Sequence, residues 1–292
     1  MAKIKVLFSL LALGLAFASC DDNDDTPKYK DLELNISGLE DLGNDYVYEG
    51  WIIVDGAPVT TGRFSVDASG ELSQDSFALD YDDVSDASTF ILTIEPSVGD
   101  DPAPSAVHIL AGDFSGKSGS LSIFHPAALG DDYASAAGKY ILATPTDDVD
   151  TNENSGIWFL SLASGSPAVG LDLPTLPDGW KYEGWVVING SPVSTGTFTA
   201  VDVADDFSGF SGSKSGPPFP GEDFLLNAPS GLTFPTDLAG GVAVISIEPY
   251  PDNSSAPFLL KPLVGTIAAG ATDHTTYDMG QNLQFPTGTV SR

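Results

Sequence analysis

The chain has 292 residues, 11 basic against 41 acidic, for a net charge of −30. Such a field repels phosphate backbones and anionic membrane surfaces, which excludes nucleic acid as a partner and leaves cations or partners with a basic face. Hydrophobic residues at 42%, with 31 Gly and 21 Pro, indicate a folded chain rich in turns, and one cysteine means that no internal disulfide can hold it.

The chain opens with Lys3 and Lys5, an apolar run from Val6 to Phe17, and Ala18-Ser19-Cys20. A positive n-region, an h-region and a small-residue cleavage site read as a secretory signal peptide over residues 1–19. The run is too short for a comfortable membrane span. Phe17-Ala18-Ser19-Cys20 resembles a bacterial lipobox, with Phe17 where Leu is usual. The resemblance implies lipidation of Cys20, removal of residues 1–19, and anchoring by two or more acyl chains. Loss of Lys3 and Lys5, with no acid in that stretch, takes the mature charge to −32. Asp21, Asp22, Asp24 and Asp25 follow at once, in a tether spanning residues 20–30. This run resembles the export signal of Bacteroidetes surface lipoproteins. Its plainer reading is a solvated tether. The expected location is the outer membrane, lipid-anchored and surface-exposed, with the periplasmic face as the alternative.

From Leu32 onward no stretch keeps an apolar period of 3.6 for three turns. Short apolar runs prevail, at Leu32–Ile36, Phe90–Ile94, Val107–Leu110, Leu121–Phe124, Tyr140–Ala143, Ile157–Leu162, Val242–Ile247 and Phe258–Leu260. Gly, Pro, Asp and Ser bound them, as in all-β sandwiches and barrels.

One unit is written twice. Tyr48-Glu49-Gly50-Trp51-Ile52-Ile53-Val54-Asp55-Gly56 returns as Tyr182-Glu183-Gly184-Trp185-Val186-Val187-Ile188-Asn189-Gly190, at a shift of 134 residues. Each copy is an apolar strand, an Asp-Gly or Asn-Gly turn and a second strand, the pattern of a β-hairpin. Thr93-Ile94-Glu95-Pro96 returns as Ser246-Ile247-Glu248-Pro249 at a shift of 153, so the second copy carries 19 extra residues between the motifs. Their expected place is the loop 205–229, where Ser211 to Pro218 cannot sit in a sheet. Each copy is expected to close on a strand ending in Pro-Thr, at Pro145-Thr146 and Pro286-Thr287. The expected architecture is all-β, with two tandem sandwich-like domains over residues 31–147 and 148–292.

Trp51 with Gly56 to Phe64, and Leu92 to Pro96 running into Asp101-Pro102-Ala103-Pro104, resemble the extracytoplasmic domain of anti-sigma-K factors. The second half repeats both patterns, so the resemblance covers most of residues 45–112 and 180–265. It implies a β-rich envelope module with a sensing or binding role. Family members carry a cytoplasmic zinc-binding helical domain and a transmembrane helix; neither stands in this sequence, and direct contact with a sigma factor is not expected.

Period-2 alternation in Tyr48 to Val54 makes both faces apolar past Gly50, which suits a central strand covered on both sides. Trp51 and Trp185 are then core residues, with an aromatic sugar platform as the functional alternative. Glu49, Glu183, Glu95 and Glu248 are tempting as a glycosidase pair, but duplicated catalytic dyads are not expected in one chain. Glu95 and Glu248 precede proline, where a strand must end, and are expected to accept backbone hydrogen bonds. His108, His125 and His274 lack metal-ligand spacing, and no nucleophile elbow or phosphate loop occurs. Asp148, Asp150, Asn152 and Asn154 place oxygens at every second position, a pattern that suits calcium, the only cofactor suggested. Glu153 stands where the turn glycine is needed, so an acidic linker that screens with salt is the favoured alternative.

These observations together predict a lipid-anchored, non-catalytic envelope protein that binds a protein or glycan ligand. The alternatives are a glycan-acting surface enzyme and a structural or adhesive spacer.

Overall fold

The computed structural model describes residues 28–251 and 254–292. Cys20, Asp21, Asp22, Asp24 and Asp25, with the signal peptide and most of the tether, lie outside the described residues. No helix among the described residues is long and apolar enough to cross a membrane, a statement that does not bear on β-barrel spans.

The chain is almost wholly β. In order come β1 (Tyr29–Ser37), β2 (Tyr46–Val54), β3 (Ala57–Phe64), β4 (Ser76–Asp80), the short helix α1 (Tyr81–Asp86), β5 (Thr89–Pro96), β6 (His108–Asp113) and β7 (Ser118–Ser122). Then follow β8 (Ala137–Leu142), β9 (Gly156–Trp158), the small pair β10 (Leu160–Ser161) and β11 (Ala168–Val169), and β12 (Leu171–Asp172). The second repeat continues with β13 (Trp180–Ile188), β14 (Ser191–Phe198), β15 (Gly221–Asp223), β16 (Val242–Pro249), β17 (Leu263–Thr266), β18 (Tyr277–Gln281) and β19 (Thr287–Ser291). Phe258–Leu260, read from sequence as a strand, is a loop bonded to the end of β16. Phe159 interrupts the run Ile157–Leu162 between β9 and β10.

Two large antiparallel sheets result, in the orders β3-β2-β5-β6-β7-β19-β1-β4 and β14-β13-β16-β17-β18-β8-β9-β15. Each curls until its end strands approach, β3 toward β4 and β14 toward β15. The repeated hairpins hold equivalent places. Asp55 and Gly56, and Asn189 and Gly190, all have positive φ, as a two-residue turn matched to strand twist requires. Register slips between Gly50 and Trp51 and again between Gly184 and Trp185, opposite Gly62 and Gly196 at φ 124° and 126°. Only glycine reaches those angles without strain.

Matching the two orders place by place equates β19 with β8, and this exposes an exchange. β8 follows the first repeat but lies between β18 and β9 of the second sheet. β19 follows the second repeat but lies between β7 and β1 of the first. Their registers agree: Gly288 pairs with Leu121 and Gly138 with Met279, and Val290 and Tyr140 turn inward, 0% and 1% exposed. The division at 147/148 thus separates the two hairpins but not the two sheets. Residues 137–142 complete the second sheet and residues 287–291 the first. Most of the buried apolar side chains accordingly form one connected core through both units, with two smaller clusters beside it around Trp51 and Trp158.

Both tryptophans are core residues. Trp51 and Trp185 are 3% and 1% exposed, and their indole N–H groups donate to Thr93 Oγ1 (2.9 Å) and Ser246 Oγ (2.8 Å). β2 has five successive buried residues, Tyr48 to Ile52, as expected for a strand covered on both faces. On the outer face Trp51 packs with Ile91, Ala111 and Ala128.

Candidate functional site

Each duplicated glutamate has a local task. Glu49 accepts from the Thr60 hydroxyl and stands 3.4 Å from Arg63 Nε; Glu183 accepts from the Ser194 hydroxyl. Both bonds join the first strand of a hairpin to the second. Glu95 and Glu248, each 1% exposed, close the following strands. Glu95 Oε1 accepts from Ser105 N at 2.8 Å, and Glu248 accepts from Phe258 N at 2.9 and 3.2 Å. In each copy the acceptor lies ten residues before its donor. Glu-Pro therefore ends a strand and its carboxylate draws the returning loop back onto it, because a buried carboxylate needs donors. Burial pushes the Glu95 carboxyl above its usual range, partly offset by hydrogen bonds from Thr93 and Ser105.

These two anchored loops face each other across the junction of the sheets. From the first unit come Ile94, Pro96 and Ser105–Val107, and from the second Pro249, Tyr250, Pro251 and Phe258. The β1–β2 loop, Glu40 to Tyr46, closes the third side. The groove encloses about 520 Å³, within the usual range for a small-molecule site. Its walls are aliphatic and aromatic, and Glu40, Asp41 and Asp45 add carboxylates.

The junction beneath the groove is tightly built. Gly179, at φ 87°, would bring a Cβ within 2.6 Å of Ala106 O, so only glycine permits this approach. Its carbonyl accepts from Tyr250 N at 2.8 Å. The Trp180 and Phe258 rings lie 6.1 Å apart, and Tyr133 packs against Phe285 at 5.8 Å.

The four residues considered for calcium are otherwise engaged or apart. Asp148 pairs with Lys214, Asn152 bonds to Thr144 Oγ1 (3.0 Å) and Asp147 (2.8 Å), and Asn154 Nδ2 donates to Ala271 O (3.3 Å). Asp150, Asn152 and Asn154 do border a second, polar cleft of about 470 Å³ with Asp237 and Asp273. Among the described residues no group of three or more His, Cys, Asp or Glu side chains is disposed to hold a metal ion. His108 Nδ1 lies 2.8 Å from Ala127 O, His125 accepts from Ala127 N and approaches Asp113, and His274 is exposed.

Sequence reasoning missed the groove, although it found both Glu-Pro motifs. Pro96 and Pro249 border the groove, so the motifs were the available signal. What sequence could not supply was that the two anchored loops meet. No protein-family model, curated protein or solved structure matches the chain.

Proposed function

We propose that this is a lipid-anchored, non-catalytic protein of the bacterial outer membrane that binds a ligand in the groove between its two β units. One observation carries the reading: the same Glu-anchored loop, taken once from each unit, forms facing walls of a ligand-sized apolar groove. A spacer would gain nothing from an apolar opening there. The glutamates serve this reading as positioning groups, since each holds a groove residue, Ser105 or Phe258, by its backbone. Resemblance to the extracytoplasmic domain of anti-sigma-K factors, and the lipobox-like Cys20 with its acidic tether, support a sensing or binding role at the cell surface. Interface burial at a junction of two units is also where ligand sites commonly form.

The test is photo-crosslinking on whole cells. Tyr250→benzoylphenylalanine places the reactive group at the groove, and Val203→benzoylphenylalanine places it on the exposed 199–220 loop. A discrete adduct from position 250 and none from 203 is expected. Equal or absent adducts at both positions would defeat the reading.

A further inference from the structure

The two strand ends that wall the groove are fixed by the same backbone bond and then diverge in their side chains. Ser97 N donates to Asp45 O and Tyr250 N to Gly179 O, each at 2.8 Å, and these pairs hold equivalent places in the two repeats. In the first unit the Ser97 hydroxyl turns back to Asn44 O at 2.7 Å. In the second, Tyr250 presents a ring at the groove and is 53% exposed.

The cation beside each strand end diverges in the same way. In the first unit Arg63, on β3, donates to the Pro96 carbonyl and pairs with Glu49 and Asp100. Thr197 stands at the equivalent place in the second unit, and the cation there is Lys181 on β13, where the first unit has Val47. The Lys181 ammonium donates to Thr197 Oγ1 and Asp206 Oδ2, each at 3.1 Å, and stands 4.1 Å from the Tyr250 ring centre. Asp206 is fixed in turn by Thr197 N at 2.9 Å and the Thr197 hydroxyl at 2.6 Å. A continuous brace therefore runs from the repeated hairpin to the ring.

From this arrangement we infer that Tyr250 is the ligand-stacking residue of the groove, that Lys181 is its positioning residue, and that the ligand carries a flat apolar ring. The inference rests on the binding role set out above and adds the contact, its support and the shape of the ligand. A half-exposed tyrosine loses rotamer freedom when a ligand fixes it. A cation over one face holds the ring beforehand, so less freedom remains to be lost on binding. With one face under the ammonium, the other is the face the ring can offer. A flat ring covers that face in an offset stack, whereas a puckered ring touches it at few atoms. The aliphatic walls at Leu42, Ile94 and Val107 take the rest of the ligand out of water.

Naphthylmethanol and its ring-saturated counterpart, decahydronaphthylmethanol, share a hydroxyl and a similar apolar body and differ in flatness. Equilibrium dialysis should use the chain from Asp21 onward, expressed without its apolar leader. Naphthylmethanol should bind several-fold more tightly than the saturated alcohol, and Tyr250→Ala should remove the difference. Lys181→Met should weaken naphthylmethanol several-fold and Lys181→Arg should restore it, while Lys139→Met, whose ammonium pairs with Asp278 on the same sheet, should change nothing. The double variant Lys181→Met/Tyr250→Ala should bind no more weakly than Tyr250→Ala alone, because Lys181 acts only through the ring. Equal binding of the two alcohols, lost in Tyr250→Ala, would overturn the flat-ring ligand and leave the binding role intact. Wild-type affinity in Lys181→Met, or additive losses in the double variant, would remove Lys181 as a positioning residue. Binding indifferent to Tyr250→Ala would overturn the inference entire. Binding of neither alcohol overturns it as well, and the crosslinking result then decides the broader reading by itself.

Discussion

The two units share a hairpin yet close their sheets with opposite chemistry. In the first, the Phe77 ring lies over Gly62, 3.0 Å from where a Cβ would stand, and Phe64 packs 6.2 Å from it. Helix α1 follows directly, with Asp80 capping its first turn and Val84 fully buried beneath. In the second, the Asp205 carboxyl lies over Gly196, 2.8 Å from where a Cβ would stand, and accepts from Gly221 N at 2.8 Å. Glu222, on β15, is 0% exposed, and its Oε2 has no hydrogen-bond partner. Phe207, Phe210, Phe224 and Phe234 gather in place of the helix. The extra residues of the second copy flank β15 on both sides, at 199–220 against 65–75 and at 224–241 against 81–88. A ring over glycine is indifferent to pH; a buried carboxyl over glycine is not. Duplication preserved the hairpin and left the closure free to change, because the hairpin is a local structure and the closure is not.

The largest expected effect tests whether the two units are energetically separate. Trp51→Ala and Trp185→Ala should each cost about 3–5 kcal/mol, as for other buried large aromatics. Because the core is continuous and the closing strands are exchanged, either substitution should shift one shared unfolding transition in calorimetry. A melt that splits, leaving the untouched unit at its original temperature, would show that the exchange does not couple them.

The exchange itself is probed by Val290→Ala on β19, where the side chain is 0% exposed. A loss of about 2 kcal/mol is expected for a buried valine. Amide exchange should quicken in β7 and β1, which flank β19. Quickening in β18 with β7 unchanged would place the strand back in its own repeat.

The closures differ in their response to pH. Burial pushes the Asp205 carboxyl up to about 8, with the fields of Glu222 and Asp206 adding to it and backbone hydrogen bonds opposing it. Burial likewise pushes Glu222 up to about 7, and Asp223 adds to that. A carboxyl raised in the folded state binds its proton more tightly there than in the unfolded chain. Its stabilising contribution is therefore complete below the unfolded value near 4 and is lost as pH rises through 7 and 8. Between pH 6 and 9 the ordinary carboxylates are already ionised, and the variant, more than the window itself, assigns the fall to this pair. The melting temperature should fall across it, and Asp205→Asn/Glu222→Gln should flatten the fall. An unchanged slope in that variant would remove the closure as its source.

The smallest effect concerns calcium. With Asp148, Asn152 and Asn154 bonded to separate partners, melting in millimolar calcium should match melting in sodium chloride of equal ionic strength. A rise specific to calcium, abolished by chelator, would restore the linker as a metal site.

Legibility followed the range of the interactions. Asp55-Gly56 and Asn189-Gly190 announced their turns, and the apolar residues of Tyr48 to Val54 announced a strand covered on both sides, because turn angles and side-chain alternation depend on adjacent residues. Glu95 and Glu248 were readable as backbone acceptors, since proline after them ends a strand and leaves buried donors close by. The strand at β15 went unread because three residues inside a Gly- and Pro-rich stretch carry no periodicity. Phe258–Leu260 was misread for the complementary reason: an apolar run can fill a core as a loop.

By itself the sequence determined the β class, the duplication, the two hairpins with their turns and glycines, and the burial of both tryptophans. All of these rest on contacts between near neighbours or on the transfer of apolar side chains from water. Only the tertiary structure decided where the closing strands go. β8 and β19 present the same short pattern, a glycine and an inward apolar residue two places on, so the pattern by itself assigns neither strand to a sheet. The choice rests on the connections 123–136 and 282–286 and on the shared core. The groove is a consequence of that choice. Its walls are Glu-anchored loops of both units, and they confront each other because the exchanged strands and the Gly179–Ala106 approach hold the sheets together.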